Sequence, residues 1–141
     1  MQFSAKAEYA CLAMLELAVR HGDPRPVRLA DVADKHNIPS RFLVQILLQL
    51  KNAGLVASTR GAAGGYQLAR PPADISLADV LGVMDRSDRP ESKPKPRAEA
   101  SPLAATLHGV WDQIAAARGR ILRTTTLAEL VEAGQGLQYV I

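Results

Sequence analysis

At 141 residues and 48% apolar content, the chain has the length of one domain and the composition of an ordinary globular protein. No apolar run approaches the roughly 20 residues that span a bilayer, and Met1-Gln2-Phe3-Ser4-Ala5-Lys6 lacks the order of a signal peptide, so a cytoplasmic protein without a membrane partner is expected. One cysteine, Cys11, excludes an intrachain disulfide and a multi-cysteine metal site, while a formal charge of +3 fits a nucleic-acid partner without demanding one.

Ser4 is placed to cap a first helix running to about Arg20, stopped by His21-Gly22-Asp23-Pro24. Residues 10–19 are apolar almost all round, which predicts a core helix. A second helix, Leu29 to about His36, carries Leu29, Val32 and Ala33 at i, i+3, i+4. After the turn Asn37-Ile38-Pro39, Ser40 is expected to cap a third helix ending near Asn52 or Ala53, with Gly54 in left-handed geometry. Leu55–Thr59 and Tyr66–Arg70 flank the glycine-rich Arg60–Gly65 and predict a β-hairpin. Ser76 then caps a helix from Leu77 to about Arg86.

Residues 87–100 hold three prolines and seven charged residues, a composition that predicts an exposed loop. Ser101-Pro102 restarts a helix to about Arg123, with Ser as cap and Pro at the first helical position. Leu103, Leu107, Val110, Ile114, Ala117 and Ile121 recur along it at spacings of 4, 3, 4, 3, 4, with Trp111 adjoining. Something must cover that seam. The first helix could; a partner subunit's equivalent helix is preferred, because symmetric dimers are the commonest oligomers. Thr126–Val131 predicts a last short helix, and Gly134–Ile141 a tail.

The element order is that of a winged helix-turn-helix: mostly α with a small β-hairpin wing, followed by a long C-terminal dimerisation helix. The expected organisation is a DNA-binding unit over 1–86, the loop over 87–100, and the dimerisation helix and C-terminal segment over 101–141. The third helix is the one that would enter the major groove of double-stranded DNA. Its buried stripe is Leu43, Ile46, Leu47 and Leu50; Arg41, Gln45, Gln49 and Asn52 fall opposite, and their side chains can reach base edges or phosphates. Residues 40–70 contain Arg41, Lys51, Arg60 and Arg70 and no Asp or Glu. That suits a surface facing phosphates, although chance clustering would give the same count. Ser40 and Arg41, at the helix start, are candidates for phosphate or base contact. Gly61, Gly64 and Gly65 permit close backbone approach, and Arg60 offers a guanidinium to the minor groove. No helix N-terminus follows these glycines and no Walker lysine is present, so a nucleotide-phosphate loop is argued out. No Ser, His and Asp arrangement forms a nucleophile motif, so no enzyme is expected.

Residues 60–70, Arg-Gly-Ala-Ala-Gly-Gly-Tyr-Gln-Leu-Ala-Arg, resemble the wing of the Rrf-two family of bacterial regulators. Ser4–Ala10, Leu29–Ala33, Leu50–Val56, Ile75–Val80 and Thr126–Leu130 resemble further blocks of that family, in order, over nearly the whole chain. The resemblance implies a homodimeric regulator that binds an imperfect palindrome, usually to repress. It places Tyr9 near the DNA backbone, although a packed aromatic would serve equally at that position. Cluster-binding members carry three cysteines in the loop before the dimerisation helix, the last followed three residues later by a histidine. Here that loop has none: Ala105 stands at the cysteine position and His108 at the histidine position. No cluster or other cofactor is therefore expected, leaving an unknown small-molecule or protein effector. Two other readings stay open: a winged-helix module that binds protein through the same face, and a thiol- or metal-responsive regulator using Cys11. A lone cysteine in an apolar helix is more often an inert buried thiol.

Overall fold

The computed structural model describes residues 3–88 and 101–140. Helix α1, Ala5–Val19, starts where Ser4 Oγ accepts the Ala7 N–H at 3.1 Å. Ala7, Ala10, Ala13, Met14, Leu17 and Ala18 are all buried, and the alanines let neighbouring helices come close. Helix α2, Leu29–His36, ends at Asn37, whose φ of 54° is the left-handed conformation that Asn tolerates. The Ile38 N–H then returns to the Ala33 carbonyl at 2.9 Å and drives Ile38 into the core.

Helix α3, Ser40–Asn52, corrects one expectation. Its cap residue is Pro39, whose carbonyl accepts from the Phe42 and Leu43 N–H groups at 3.0 and 3.1 Å; Ser40 is the first helical residue, and no side chain caps the helix. Pro39 lies extended, with ψ 128°, so the chain enters the helix one residue earlier than Ser40 would have set it. The far end is as expected: Gly54 takes φ 81° and the Leu55 N–H reaches back to Leu50 at 3.0 Å.

Strands β1, Val56–Thr59, and β2, Gly65–Leu68, pair antiparallel with Val56 opposite Leu68 and Thr59 opposite Gly65. The hairpin has a third member that periodicity did not reveal. Val27 exchanges both backbone bonds with Tyr66, at 2.9 and 2.8 Å, on the edge of β2 away from β1. A 3-10 turn over Pro72–Asp74 leads to helix α4, Leu77–Asp88, started by reciprocal bonds between Ser76 and Asp79. It runs two residues past the expected end at Arg86; the rest of the expected loop, 89–100, lies outside the described residues.

Helix α5, Pro102–Thr124, begins with Ser101 accepting from the Ala104 N–H at 3.2 Å. Helix α6, Leu127–Val140, is longer than expected: the segment assigned as a tail from Gly134 is helical to Val140. Thr126 Oγ1 accepts the Glu129 N–H at 3.2 Å and Leu127 is fully buried, so the helix is capped and anchored at its start. Glycines there lower helix propensity by about 1 kcal/mol each without imposing a turn.

One core serves both halves of the chain. Met14, Leu43, Leu47, Val80 and Met84 share it with Leu127, and α6 packs on α1. The C-terminal segment is also joined by backbone: Leu77 donates to Thr125 at 3.0 Å and Leu127 to Ile75 at 2.9 Å. By contrast, α5 rests against α4 and buries no residue of its own. Among the described residues, no helix is long and apolar enough to cross a membrane.

Candidate nucleic-acid interface

Helix α3 has the two faces its sequence predicts, with Leu43, Ile46, Leu47 and Leu50 buried against α1, α2 and α4. Outward lie Arg41, Gln45, Lys51 and Asn52, all exposed, with Ser40 exposed on the first turn. The Arg41 guanidinium sits 5.0 Å from the centre of the Phe42 ring, a cation–π distance that steadies its charged head near the helix start. Gln49 does not join this group fully. It lies on the flank, half-buried, and its Oε1 is sealed from solvent without a hydrogen-bond partner. Three apolar side chains are also exposed on the helix: Phe42 at 48%, Val44 at 47% and Leu48 at 54%. By resemblance, Val44 stands where some cluster-binding relatives carry glutamate, while Phe42 and Leu48 carried no expectation. Their positions away from the leucine stripe were the available signal.

At the wing tip Arg60 is exposed and Gly61 has φ 107°, a backbone that L side chains rarely adopt. Gly65 serves a different need. A Cβ there would stand 2.3 Å from the Val27 carbonyl oxygen, so only glycine lets β2 meet Val27. Arg28, which sequence reasoning missed, donates from Nη2 to the Ala62 carbonyl at 3.3 Å and ties the wing loop to the start of α2. Gln67 likewise donates to the Pro24 carbonyl at 3.0 Å. Wing and helix-turn-helix are thus mechanically joined. Tyr9 is half-buried against the core, a packing that either of its readings allows.

Behind this surface is a charged cluster centred on Glu16, a residue that in sequence merely interrupts an apolar run. Glu16 is 2% exposed and is met by Arg20 Nε at 3.1 Å, Lys35 Nζ at 3.0 Å and His36 Nε2 at 3.0 Å. Burial alone would push its carboxyl up; hydrogen bonds from Lys35, His36 and Arg20 outweigh that and hold it below the usual carboxylate range. Lys35 and His36 lie on α2, so the cluster clamps the helix-turn-helix to α1. Arg20 is its i+4 neighbour at the end of α1, but Lys35 and His36 come from another helix, and no local pattern could reveal them.

The Rrf2 profile, described as an iron-dependent transcriptional regulator, matches residues 3–133. The chain belongs to the Rrf2 family. Among its relatives, IscR of Vibrio atlanticus, an HTH-type transcriptional regulator, is 32% identical over 139 residues, covering 98% of this chain and 79% of the relative. A Mycobacterium tuberculosis protein, also named as an HTH-type transcriptional regulator, is 39% identical over 140 residues, covering 92% of this chain and 81% of its own. The solved structure of T. potens IscR superposes with a TM-score of 0.80 at 30% identity, covering 98% of this chain and 91% of that one. CymR, the global cysteine regulator of B. subtilis, gives 0.80 at 33% identity, covering 94% and 98%. The winged-helix architecture and the role of transcriptional regulator follow from this Rrf2 membership.

The family's iron dependence raises the question of a cluster, and the donor set does not fit one. Iron–sulfur clusters are held by about four protein ligands, mostly thiolates. This Rrf2 chain has one cysteine. Burial pushes the Cys11 thiol up from 9.0 to about 11, with the Glu8 carboxylate adding to the effect, so it is a protonated thiol at neutral pH. His108 is half-buried on α5. Among the described residues, no group of three or more His, Cys, Asp or Glu is placed to hold a metal ion.

Proposed function

We propose that this Rrf2-family protein is a cytoplasmic, sequence-specific repressor that binds an imperfect DNA palindrome as a homodimer and takes its signal from something other than an iron–sulfur cluster. The observation that carries the reading is the acid-free run of residues 40–70, which holds both the outward face of α3 and the wing. Helix α3 enters the major groove, where Gln45 and Arg41 meet base edges and the exposed first turn at Ser40 meets a phosphate. Gln49, on the flank, contributes at the groove edge. Arg60, with Gly61 bending the wing tip, lies along the minor groove, and Tyr9 approaches the backbone from α1.

The dimer reading rests on α5. Leu103, Leu107, Val110, Trp111, Ile114 and Ile121 are all exposed along one 23-residue helix, and a seam of that length asks for an equivalent helix against it. A cleft of about 600 Å³ between α1, α4, α5 and α6, lined by Phe3, Cys11, Leu15, Leu81, Leu122 and Leu130, offers room for a small effector.

Selection of genomic fragments on the purified protein, followed by fluorescence anisotropy across a salt series, tests the function. Binding should fall steeply with salt. Arg60→Ala should weaken all duplexes and lower the salt slope by about 1, while Gln45→Ala should cost about 1–3 kcal/mol on the cognate site and relax preference at one position. Trp111→Glu should shift sedimentation from dimer to monomer. Retention of no fragment at low salt, or cognate binding unaltered by both Arg60→Ala and Gln45→Ala, would overturn the assignment.

A further inference from the structure

The outward face of α3 is more apolar than a solvated face needs to be. Val44 and Leu48 are about half exposed there, one helical turn apart, beside the row of Arg41, Gln45 and Asn52. Leaving such side chains in water forgoes burial that the fold could have used elsewhere. A helix surface meant for solvent would carry carboxylates and lysines at these places; this one carries no carboxylate at all. Arg41 and Lys51 on the helix and Arg60 on the wing carry charge that complements phosphates.

Within a major groove, one apolar group is presented by the bases: the C5-methyl of thymine. We propose that Val44 and Leu48 read thymine methyl groups, making each operator half-site thymine-bearing opposite α3. This rests on the DNA-binding reading above and adds the base that the helix selects. The two side chains rise about 6 Å apart along the helix, which matches roughly two base steps of ~3.4 Å. Gln45, on the same face, supplies the paired donor and acceptor that suit an adjacent adenine. Arg41 is steadied on Phe42 and stays at the helix start, leaving the middle of the face to the apolar pair.

The test uses the full-length protein and its selected operator, with single thymines replaced by deoxyuridine, a change that removes the methyl group alone. Wild-type protein should lose about fourfold in affinity per half-site at each of two positions, the loss expected for one buried carbon. In Val44→Ser that sensitivity should vanish at one position, and in Leu48→Asn at the other. Both variants sit on an exposed face, and unchanged helical circular dichroism and melting verify that they fold. Deoxyuridine tolerated at every position, an operator lacking thymine opposite α3, or sensitivity that persists unaltered in the Val44→Ser/Leu48→Asn double variant overturns the proposal while leaving DNA binding intact. Failure to bind any duplex, with capture of a protein through the same face, overturns both readings together.

Discussion

Replacement of Gly65 by alanine is the most direct test of how the wing is held. The added Cβ would lie 2.3 Å from the Val27 oxygen, 2.7 Å from its carbonyl carbon and 3.2 Å from the Arg28 nitrogen. All three are backbone atoms, so no flexible side chain can swing aside. Reaching an ordinary contact of about 3.4 Å requires the Val27 segment to withdraw from β2. That breaks the two Val27–Tyr66 bonds of 2.9 and 2.8 Å, each worth about 1 kcal/mol net, and loosens the packing of the buried Val27 side chain. The expected loss is about 2–4 kcal/mol, a large share of a total stability of roughly 5–15 kcal/mol. With an m-value of about 1–3 kcal/mol/M, the urea midpoint should fall by about 1–2 M. DNA affinity measured well below that midpoint should fall too, because Arg60 rides on the displaced wing. Gly22→Ala is the control: nothing lies within 4 Å of its would-be Cβ, and the change should stay within about 0.5 kcal/mol. A Gly65→Ala midpoint indistinguishable from that of Gly22→Ala would refute the argument from close approach.

Two further outcomes concern the charged and sulfur-bearing side chains of α1. Glu16 is held below the ordinary carboxylate value of 4.5, so its stabilisation is fully present above that value and is lost as pH falls through the depressed one. Glu16→Gln should therefore be less stable near neutrality, by about 1–3 kcal/mol, and its melting temperature should decline less than that of wild type on acidification below 4.5; parallel declines would count against the cluster. Cys11, with its thiol raised to about 11, should react sluggishly with iodoacetamide at pH 7 and accelerate up to that pH. A rate that levels off below pH 9 would mean the thiol is not held as its burial implies.

Much of the fold was legible because it is written in local chemistry. Ser4, Ser76 and Ser101-Pro102 announce helix starts, Gly54 announces a left-handed end, and the leucine stripe of α3 announces which side is buried. Ser40 misled because two residues competed for one cap, and the extended Pro39 took it. The length of α6 was missed because glycine was taken as a stop, whereas burial of Leu127 and the Thr126 cap hold the helix from its first turn. The exposure of Arg41, Gln45 and Arg60 could be expected from periodicity and turn composition. The contacts of Glu16 with His36, Arg28 with Ala62 and Val27 with Tyr66 could not, since those partners lie on other elements, 20, 34 and 39 residues along the chain. Gln49 was expected opposite the leucine stripe with Arg41, Gln45 and Asn52, but it lies half-buried on the flank of that face.

The backbone bonds between residues 75–77 and 125–127 give α5 a fixed root. At 23 residues the helix is about 34 Å long, and it is fastened at its C-terminal end to the unit that carries α3 and the wing. It is therefore a lever rather than a tether. In a dimer joined along α5, a tilt of about 5° would displace the far end by ~3 Å, close to the ~3.4 Å rise of one base step. Spacing between the two reading heads would then be set by an angle, and a signal could detach the protein from its site by altering that angle without touching either α3 or the wing.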